Sequence, residues 1–533
     1  MTASMTASEA DLSAAFNKLI KPYCQPPRRM VSLSSVPERV QYPNPVAADH
    51  ITYNPSIEDL REFSTDVETT TEYGAPSYVS EYRSRSADRT KNAIDSDFDN
   101  ADLAVFEDGL NQIQNTDNDI ICVDRVVGRH SESSYVCRLY LPKSYGRIAL
   151  SWAKLLEPSH GTEPDFITVQ LPDATDDPKI RVHPETGVTT VLGSDYTGEA
   201  KKSFLRLFML RAKEQGGLGL HAGSKRVTLD DQDGYREVGQ LFLGLSGTGK
   251  STLTSHGLWL DDPEGVDMIQ DDVCALLPSG TVAGSEGSGL YIKTLGLDSD
   301  EQPELYESAT DESAVLENVA VDDDGTVHFE EPRYGRNARA VVRRDHLESS
   351  ADDIDLDSVD QVFFITRNPL MPPVAKLSDE QAAVAFMLGE SIETSAGDPS
   401  RVGEAIRVVG TNPFIIGSKG KEGNRFRDLI ADLDVQCYVI NTGTVGTDDP
   451  VDVGVEETVA ILEGVARDSI QWTNDDTLGL VVPNTVPGID IEQFYVPDRV
   501  ADFRVARSEL RKERLAYLDQ FDDLDDAIID AIY

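Results

Sequence analysis

"GQLFLGLSGTGKSTLTSHGLW", residues 239–259, runs from an apolar segment through a glycine-rich turn to a lysine and two hydroxyl residues. GQLFLGL is typical of a buried β-strand, and KSTLTSHGLW is typical of the start of a helix. Between them, residues 244–251 fit the pattern G-x-x-x-x-G-K-[ST]. The alternative is an ordinary glycine turn in which the lysine occurs by chance. The order of strand, loop and helix disfavours this alternative. The segment therefore predicts a P-loop that binds a nucleotide.

Each residue type in the predicted loop has a physical reason to be there. Its glycines let backbone N–H groups point at phosphate oxygens. Lys250 is expected to reach the β- and γ-phosphates, and the Ser251 hydroxyl can ligate a divalent metal ion. The helix that follows directs its positive N-terminal end at the anion. The predicted nucleotide-binding residues are Gly244, Leu245, Ser246, Gly247, Thr248, Gly249, Lys250, Ser251 and Thr252.

Two carboxylates follow in MIQDDVCAL, which places Asp271 and Asp272 within an apolar predicted strand. Adjacent residues of a strand point to opposite faces, so one can meet a metal ion directly and the other through water or a base. DD pairs are common in this chain, so the alternative is that Asp271 and Asp272 are solvated surface charges without a ligand. The apolar flanks and the position after the P-loop disfavour it. Four further candidate site residues lie upstream: Tyr196, Lys201, Lys202 and His221. The alternative is that they are structural, since a lone histidine or a lysine pair more often is.

The composition limits the possible partners. Lys+Arg number 48 against 94 Asp+Glu, a formal net charge of −46. Such a field repels nucleic acid and anionic membranes, so we expect neither as a partner. A disordered acidic chain is the alternative, but hydrophobic residues make up 39% and apolar segments recur, which favours a folded protein. At about 1 M salt the screening length is roughly 3 Å, so a halophilic cytosol is the preferred setting.

Cysteine usage and the N-terminus both favour the cytoplasm. The five cysteines lie far apart without a C-x-x-C pair, which indicates reduced thiols and neither a disulfide framework nor a zinc site. MTASMTASEADLSAAFNKLI lacks the charge and apolar core of a signal peptide. No run reaches the ~18 apolar residues of a membrane helix. We therefore expect a soluble protein.

The chain is too long for one compact core and is expected to form two or more domains. Residues 1 to about 100 look polar and irregular, and GGLGLHAGSKRVTLDD separates a helix from a strand-rich region. We place the boundary there, giving domains 1–220 and 221–533. The predicted helices are IALSWAKLLE, EAKKSFLRLFMLRAKE, SDEQAAVAFMLGES, FRDLIADL, EETVAILEGVARDS and the tail from Arg504. The predicted strands include PDFITVQLP, GQLFLGL, VDMIQDDVCALLP, DQVFFIT and QCYVINT, with a hairpin at NVAVDDDGTVHF.

The order of motifs resembles the ATP-dependent phosphoenolpyruvate carboxykinase family, from about Thr71 to Asp498. YTGEAKK, a histidine nineteen residues after Lys202, GLSGTGKST and the DD pair follow the family order. Later matches are GLYIKTLGL, PELY, LENVAVDDDGTVHF, NARAVV, MPPVAKLSDEQAAVAFMLG, VINTG and NTVPGID. The resemblance implies a divergent, halophile-type member with a two-domain α/β fold. Its N-terminal domain would lie on the substrate side, and its C-terminal domain would be a mixed α/β P-loop domain that binds the nucleotide.

The resemblance also implies residue roles. Lys202, His221 and Asp272 would hold a catalytic Mn²⁺ or similar ion, and Ser251 would hold a second Mg²⁺ bound to ATP. Lysine ligates a metal only when deprotonated, which a nearby cation and desolvation favour. Arg339 would bridge the transferring phosphoryl group and the substrate carboxylate, which suits its planar fork of donors.

Further roles follow by position. Tyr196 would lie against the substrate, and Arg85 in SEYRSRSADRTK would clamp the oxaloacetate carboxylate. Lys250 and Asp271 complete the predicted catalytic set. Gln302, where the family usually has Glu, and Thr458 are predicted nucleotide contacts. The family's basic G-x-G-K-R-I run after N-T-G is GTVGTDDPVDVGVEET here, which contains acidic and no basic residues.

The implied reaction, a step of gluconeogenesis, converts oxaloacetate and ATP to phosphoenolpyruvate, CO₂ and ADP. Loss of CO₂ leaves an enolate that cationic groups stabilise and that attacks the γ-phosphoryl group in line. We expect a monomer or small homo-oligomer. Two alternatives stay open: another P-loop phosphotransferase on the same scaffold, and a catalytically silent ATP-binding paralogue.

Overall fold

The computed structural model describes residues 42–82, 87–95, 97–115, 119–159, 163–231, 234–245, 247–300, 302–392 and 404–533. Within these ranges the chain is a mixed α/β structure, which confirms the predicted class. No helix in them has the length and apolar character needed to cross a membrane. The helices are α1 (Ile57–Glu62), α2 (Asn100–Asn115), α3 (Gly146–Leu155), α4 (Thr197–Glu214), α5 (Lys250–Ser255), α6 (Pro303–Ala309), α7 (Asp379–Leu388), α8 (Lys419–Asp432), α9 (Val455–Ala466), α10 (Phe503–Leu518) and α11 (Asp526–Asp530).

The strands before residue 220 are mostly short. They are β1 (Ile51–Tyr53), β2 (Thr69–Thr70), β3 (Pro76–Tyr78), β4 (Thr90–Asn92), β5 (Ile120–Val127), β6 (Tyr135–Pro142), β7 (Glu157–Pro158), β8 (Phe166–Leu171), β9 (Lys179–His183), β10 (Val188–Leu192) and β11 (Leu218–Leu220). The strands that follow are β12 (Ala222–Asp231), β13 (Gly234–Leu243), β14 (Gly265–Gln270), β15 (Cys274–Leu276), β16 (Val282–Gly284), β17 (Gly289–Lys293), β18 (Val315–Glu317), β19 (Ala320–Val321), β20 (Val327–His328), β21 (Arg339–Arg343), β22 (Gln361–Thr366), β23 (Val374–Leu377), β24 (Glu390–Ile392), β25 (Ala405–Arg407), β26 (Gln436–Asn441), β27 (Thr444–Val445), β28 (Val451–Asp452), β29 (Gln471–Asp475) and β30 (Leu480–Thr485).

The first large sheet is built only from strands that precede residue 220. Its order is β1-β5-β6-β8-β10-β9-β4, with β7 paired to β5. Helices α3 and α4 share an apolar core with this sheet, in which the rings of Trp152 and Phe204 stack with centroids 4.9 Å apart. Burial against this core fixes α4, the helix that carries the lysine pair.

The second large sheet carries the P-loop and has the order β14-β12-β13-β22-β26-β23-β30-β29. β13, β22 and β26 run parallel, and β22 is buried at every position, as expected for a strand covered on both faces. β12 runs antiparallel between β13 and β14. The ends of β13, β14, β22 and β26 and the start of β12 therefore lie at one edge, where α/β sheets bind ligands.

A third sheet joins chain segments from both sides of residue 220. Its order is β17-β21-β18-β3-β2, and β3 pairs in parallel with β18. The buried Glu317 carboxylate at the end of β18 accepts hydrogen bonds from Ser80 Oγ at 2.8 Å, Thr197 N at 3.1 Å and Tyr291 Oη at 2.6 Å. Arg147 lies 3.5 Å from the same carboxylate. One buried acid thus ties the substrate-side segments to the sheet that carries Arg339, and the domain boundary near residue 220 stays a prediction.

Most of the predicted elements are confirmed, and two interpretations are wrong. VDMIQDDVCALLP is not one strand, because β14 ends at Gln270 and β15 starts at Cys274, so Asp271 and Asp272 lie in the bend between them. Residues 1 to 100 are not uniformly irregular, because four strands and α1 lie within residues 51–92. These strands are too short to give a periodic signal, and they form by pairing with distant partners.

A buried ion cluster ties α10 to the edge of the P-loop sheet. Glu390 at the start of β24 receives hydrogen bonds from Arg514 at 2.7 Å, Arg407 at 2.8 Å and Asn368 at 2.8 Å. Burial alone would raise the pKa of Glu390, but Arg514 and Arg407 lower it to about 2 from its ordinary 4.5. A carboxylate held in this way contributes stability only while it is ionised.

The stability of the fold at acidic pH is expected to depend on Glu390. Because its folded-state pKa is lowered, Glu390 stabilises the fold above pH 4.5 and loses that contribution as the pH falls towards 2. The lost contribution is about 3 kcal/mol in the limit of full protonation. Glu390→Gln should therefore unfold at a lower temperature at pH 7 and show a smaller further drop between pH 5 and 3, measured by calorimetry. Parallel curves for both proteins would contradict this assignment.

Candidate active site

The P-loop is held open by glycine conformations and by hydrogen bonds beneath it. Gly247 and Gly249 have φ of 85° and 96°, which side chains disfavour. A Cβ on Gly244 would lie 2.6 Å from Thr248 Oγ1, so glycine is needed for close approach. Thr248 is buried, donates to the Leu245 carbonyl at 2.8 Å, and accepts at its own carbonyl from Thr442 Oγ1 at 2.7 Å. The loop is therefore preorganised by the fold.

The P-loop lysine reaches the bend after β14. Lys250 Nζ donates to the Asp271 carbonyl at 2.5 Å, so the loop and the DD pair are in direct contact. Asp271 Oδ1 is buried and has no hydrogen-bond partner among the described residues. An acceptor without a donor beside a P-loop is suited to a cation or an ordered water.

One carboxylate, Asp272, gathers three cationic or basic side chains. Its Oδ2 lies 2.5 Å from Lys202 Nζ and 2.9 Å from Lys201 Nζ, and its Oδ1 lies 3.0 Å from His221 Nε2. Lys201 also contacts Glu286 at 3.1 Å. The lysines come from α4, His221 precedes β12, and Asp272 follows β14. Segments about seventy residues apart in sequence thus converge beside Lys250.

The two lysines have opposite electrostatic environments. Burial alone would lower the pKa of Lys201, but Asp272 and Glu286 raise it, so Lys201 stays protonated. Burial lowers the pKa of Lys202 to about 8, and the Lys201 ammonium acts in the same direction. The Lys201 side chain is 3% exposed and that of Lys202 19%, so Lys202 is the lysine open to a ligand. Lys202 is therefore the amine that can become neutral and donate a lone pair.

The tautomer of His221 follows from its two contacts. Nδ1 lies 2.8 Å from the Thr411 carbonyl, which can only accept, so Nδ1 carries the proton. Burial lowers the pKa of His221, so the ring is neutral near pH 7 and Nε2 presents a lone pair. That lone pair faces Asp272 Oδ1, although two acceptors repel each other. A divalent cation between them would turn this repulsion into coordination.

The three side chains fit a divalent cation. Asp272 is ionised, because the Lys201 and Lys202 ammonium groups outweigh burial and hold its pKa well below the usual range. Once Lys202 has lost its proton, its Nζ and His221 Nε2 join this carboxylate, so that the three side chains offer one oxygen and two nitrogen donors. Among the described residues, no group of three or more His, Cys, Asp or Glu side chains is placed to hold a metal ion.

The predicted substrate residues lie close to this cluster. Arg339 opens β21, and its guanidinium carbon lies 5.8 Å from the centre of the Tyr291 ring. The Tyr196 and Tyr291 rings lie 6.5 Å apart, and Tyr196 immediately precedes α4. Burial alone would lower the pKa of Arg339, but Tyr196 and Tyr291 raise it, so the guanidinium stays charged. A charged guanidinium therefore lies over the Tyr291 ring.

The structure gives the burial and local position of the remaining predicted residues. Ser251 and Thr252 are exposed in the first turn of α5. Thr458 is buried in α9, and its Oγ1 donates to the Gly454 carbonyl at 2.8 Å. Gln302 is half-buried immediately before α6. Arg85 and Ser246 lie outside the described residues.

Sequence reasoning missed three residues that shape the cluster. Glu286 balances Lys201, Thr411 fixes the tautomer of His221, and the Phe414 ring lies 4.7 Å from Lys202 Nζ and 6.0 Å from the His221 ring. Thr411 acts through its carbonyl, which gives no residue-specific signal. Glu286 stands in the glycine- and serine-rich segment GSEGSG of a chain with many acids, and its burial distinguishes it.

The chain matches the model of a known protein family. The family model for phosphoenolpyruvate carboxykinase, in its ATP-dependent form, matches residues 49–492. The chain belongs to this family. It is therefore a carboxy-lyase, and the predicted phosphoenolpyruvate carboxykinase function is confirmed.

Individual relatives agree with the family match. The phosphoenolpyruvate carboxykinase (ATP) of Aeropyrum pernix is 34% identical over 480 residues, covering 88% of this chain and 94% of that protein. The protein of the same name from Chelativorans sp. is 29% identical over 347 residues, or 61% of each chain. That of Bradyrhizobium diazoefficiens is 28% identical over 350 residues, or 62% of each.

The two lysines should respond oppositely to substitution. Lys202→Met removes a buried charge whose pKa is lowered, so the metal-free protein should melt at the same or a higher temperature at pH 7. Lys201→Met leaves Asp272 and Glu286 short of a cation, so its melting temperature should fall. Added Mn²⁺ should raise the melting temperature of the wild type and not that of Lys202→Met. Equal losses of stability in both variants would contradict the assignment.

Proposed function

We propose that Lys202, His221 and Asp272 hold the catalytic divalent cation of an enzyme that converts oxaloacetate and ATP to phosphoenolpyruvate, CO₂ and ADP. The observation that carries this proposal is the convergence of the three side chains on one point beside Lys250, at 2.5 and 3.0 Å from Asp272. A pure nucleotide binder needs only the P-loop. The additional amine and imidazole support a reaction centre.

The residues around this centre divide the chemistry between substrate and phosphate. When bound, the divalent cation supplies positive charge at the enolate oxygen that forms as CO₂ leaves. Arg339 binds the substrate carboxylate on one side and the transferring phosphoryl group on the other. Tyr196 packs against the substrate, and Arg85 clamps its carboxylate. Lys250 neutralises phosphate oxygens during in-line attack by the enolate, while the Asp271 carbonyl keeps its ammonium in position.

The donor chemistry supports a choice of metals. One amine and one imidazole nitrogen beside one carboxylate suit Mn²⁺ better than Mg²⁺, which prefers oxygen ligands and retains water. We assign Mn²⁺ to this set and Mg²⁺ to the ATP phosphates, with Ser251 as its protein ligand. Gln302 and Thr458 are assigned to the nucleotide. ATP and ADP, oxaloacetate, phosphoenolpyruvate and CO₂ are the small-molecule partners.

The molecular surroundings form part of the same proposal. The net charge of −46 supports a halophilic cytoplasm and disfavours nucleic-acid or membrane partners. The four cysteines within the described residues are buried free thiols, in keeping with a reducing compartment. The chain acts as a monomer or small homo-oligomer, with a substrate-side domain 1–220 and a P-loop domain 221–533.

A single assay tests the proposal. Oxaloacetate-dependent formation of phosphoenolpyruvate is measured in molar KCl with Mn²⁺, with ATP compared with GTP. Lys202→Met and His221→Ala should each lose activity by at least about 100-fold, because each removes a metal ligand. Arg343→Met, which breaks the exposed pair with Asp345, is the matched control and should keep full activity.

The other outcomes identify the alternatives. Phosphorylation without release of CO₂ would identify another phosphotransferase. Binding of ATP and Mn²⁺ without turnover would identify a silent paralogue. Full activity in both ligand variants would refute the metal site while leaving the reaction intact.

A further inference from the structure

A rigid platform lies beside the P-loop, where β22 and β26 end. We define it as residues 366–371 and 441–446. Three hydrogen bonds between the two segments lock them together: Thr442 N to the Thr366 carbonyl at 3.0 Å, Asn441 Nδ2 to the Asn368 carbonyl at 3.1 Å, and Gly446 N to the Pro369 carbonyl at 2.8 Å. Loops paired in this way keep one geometry.

The platform is attached directly to the P-loop. Thr442 Oγ1 donates to the Thr248 carbonyl at 2.7 Å. β22 runs parallel to β13 with Phe364 opposite Leu243, so the platform begins at the level of the P-loop. The platform therefore lies directly beside the P-loop.

Arg367 is the cation of this platform. Its stem crosses Gly443 so closely that a Cβ there would lie 3.1 Å from Arg367 Cβ and 3.3 Å from Cγ. Its Nε is buried and has no hydrogen-bond partner within the described ranges. Leaving a buried donor unpaired is unfavourable, so the structure holds a donor whose acceptor is not supplied by the described residues.

The neighbouring polar side chains are already engaged. Asn368 Nδ2 donates to Glu390 at 2.8 Å. Arg499 is paired with Asp449 and with the Gln493 carbonyl. The platform thus presents one guanidinium for a ligand.

The sheet order decides which end of the nucleotide reaches Arg367. Asp272 follows β14, on one side of the P-loop strand β13, whereas Arg367 follows β22 on the other side. The terminal phosphate must face the cluster around Asp272, so the nucleoside extends towards β22 and β26. Val453 N donates to the Gly443 carbonyl at 2.8 Å, which brings the start of α9, and with it Thr458, to the same side.

We propose that Arg367 contacts the purine base of bound ATP, with its planar guanidinium against the base and Nε donating to a nucleoside acceptor. The inference rests on the proposed function, because it needs ATP on the P-loop. A guanidinium suits this place, since it stacks on aromatic faces and offers donors only. It would supply from β22 the basic contact that residues 443–458 lack.

Calorimetric titration of the full-length protein tests the inference with MgADP and with inorganic tripolyphosphate. Arg367→Met should bind MgADP about tenfold or more weakly, because a hydrogen bond from a charged donor and a stacking contact are lost. Its affinity for tripolyphosphate should equal that of the wild type, which also shows that the P-loop is folded. In turnover, KM for ATP should rise while KM for oxaloacetate stays constant.

Two variants complete the test. Arg367→Lys keeps the charge without the planar group and should lose about threefold in MgADP affinity; it replaces Arg367→Met should the latter not fold. Arg467→Met, which removes an arginine paired with Glu264 at the far end of α9, is the control and should bind MgADP normally.

Each remaining outcome overturns the inference. Unchanged MgADP affinity in the Arg367 variants of an enzyme that turns over oxaloacetate refutes it alone. An equal loss of tripolyphosphate affinity in Arg367→Met places the guanidinium on the phosphates and refutes the base contact. A wild type that binds neither ligand refutes the proposed function and the inference with it.

Discussion

The electrostatic balance around Asp272 is the constraint on which the site depends. Two ammonium groups and an imidazole share this one carboxylate in a place with little access to water. Glu286 neutralises Lys201, which leaves Lys202 as the group whose charge the fold disfavours. Burying such a cluster costs stability, and we propose that a divalent cation takes the place of the Lys202 proton. On this proposal, metal binding releases the Lys202 proton and becomes weaker as the pH falls.

The fold explains why these residues meet. β14 and β13 run in the same direction with β12 reversed between them, so the end of β14, the start of β12 and the P-loop lie at one edge. His221 is brought there by the reversal and Asp272 by the parallel strand. The Thr411 carbonyl that contacts His221 is 190 residues away from it in the sequence. Lys201 and Lys202 lie beside their own carboxylates, Asp272 and Glu286.

The sequence predicted the parts of this arrangement that are local. The P-loop follows from glycine, lysine and hydroxyl residues in a short pattern, and Lys250 lies where that pattern places it. The motif order led to Lys202, His221, Asp272 and Arg339, although Asp272 lies in a bend and not in a strand. The sequence did not predict three non-local features: the contact of the Thr411 carbonyl with His221, the pairing of Lys201 with Glu286, and the strands within residues 51–92. Each depends on contacts between distant segments, for which a single sequence gives no periodicity.

The pairing of β3 with β18 has a consequence for how the molecule can be divided. A fragment that began near residue 220 would keep β18 but lose β3, leaving unsatisfied backbone groups along that strand. It would also lose Ser80 and Arg147, two of the groups that contact the Glu317 carboxylate. We expect the exposed edge of β18 in such a fragment to pair with foreign strands, which makes residue 220 a poor place to cut the chain.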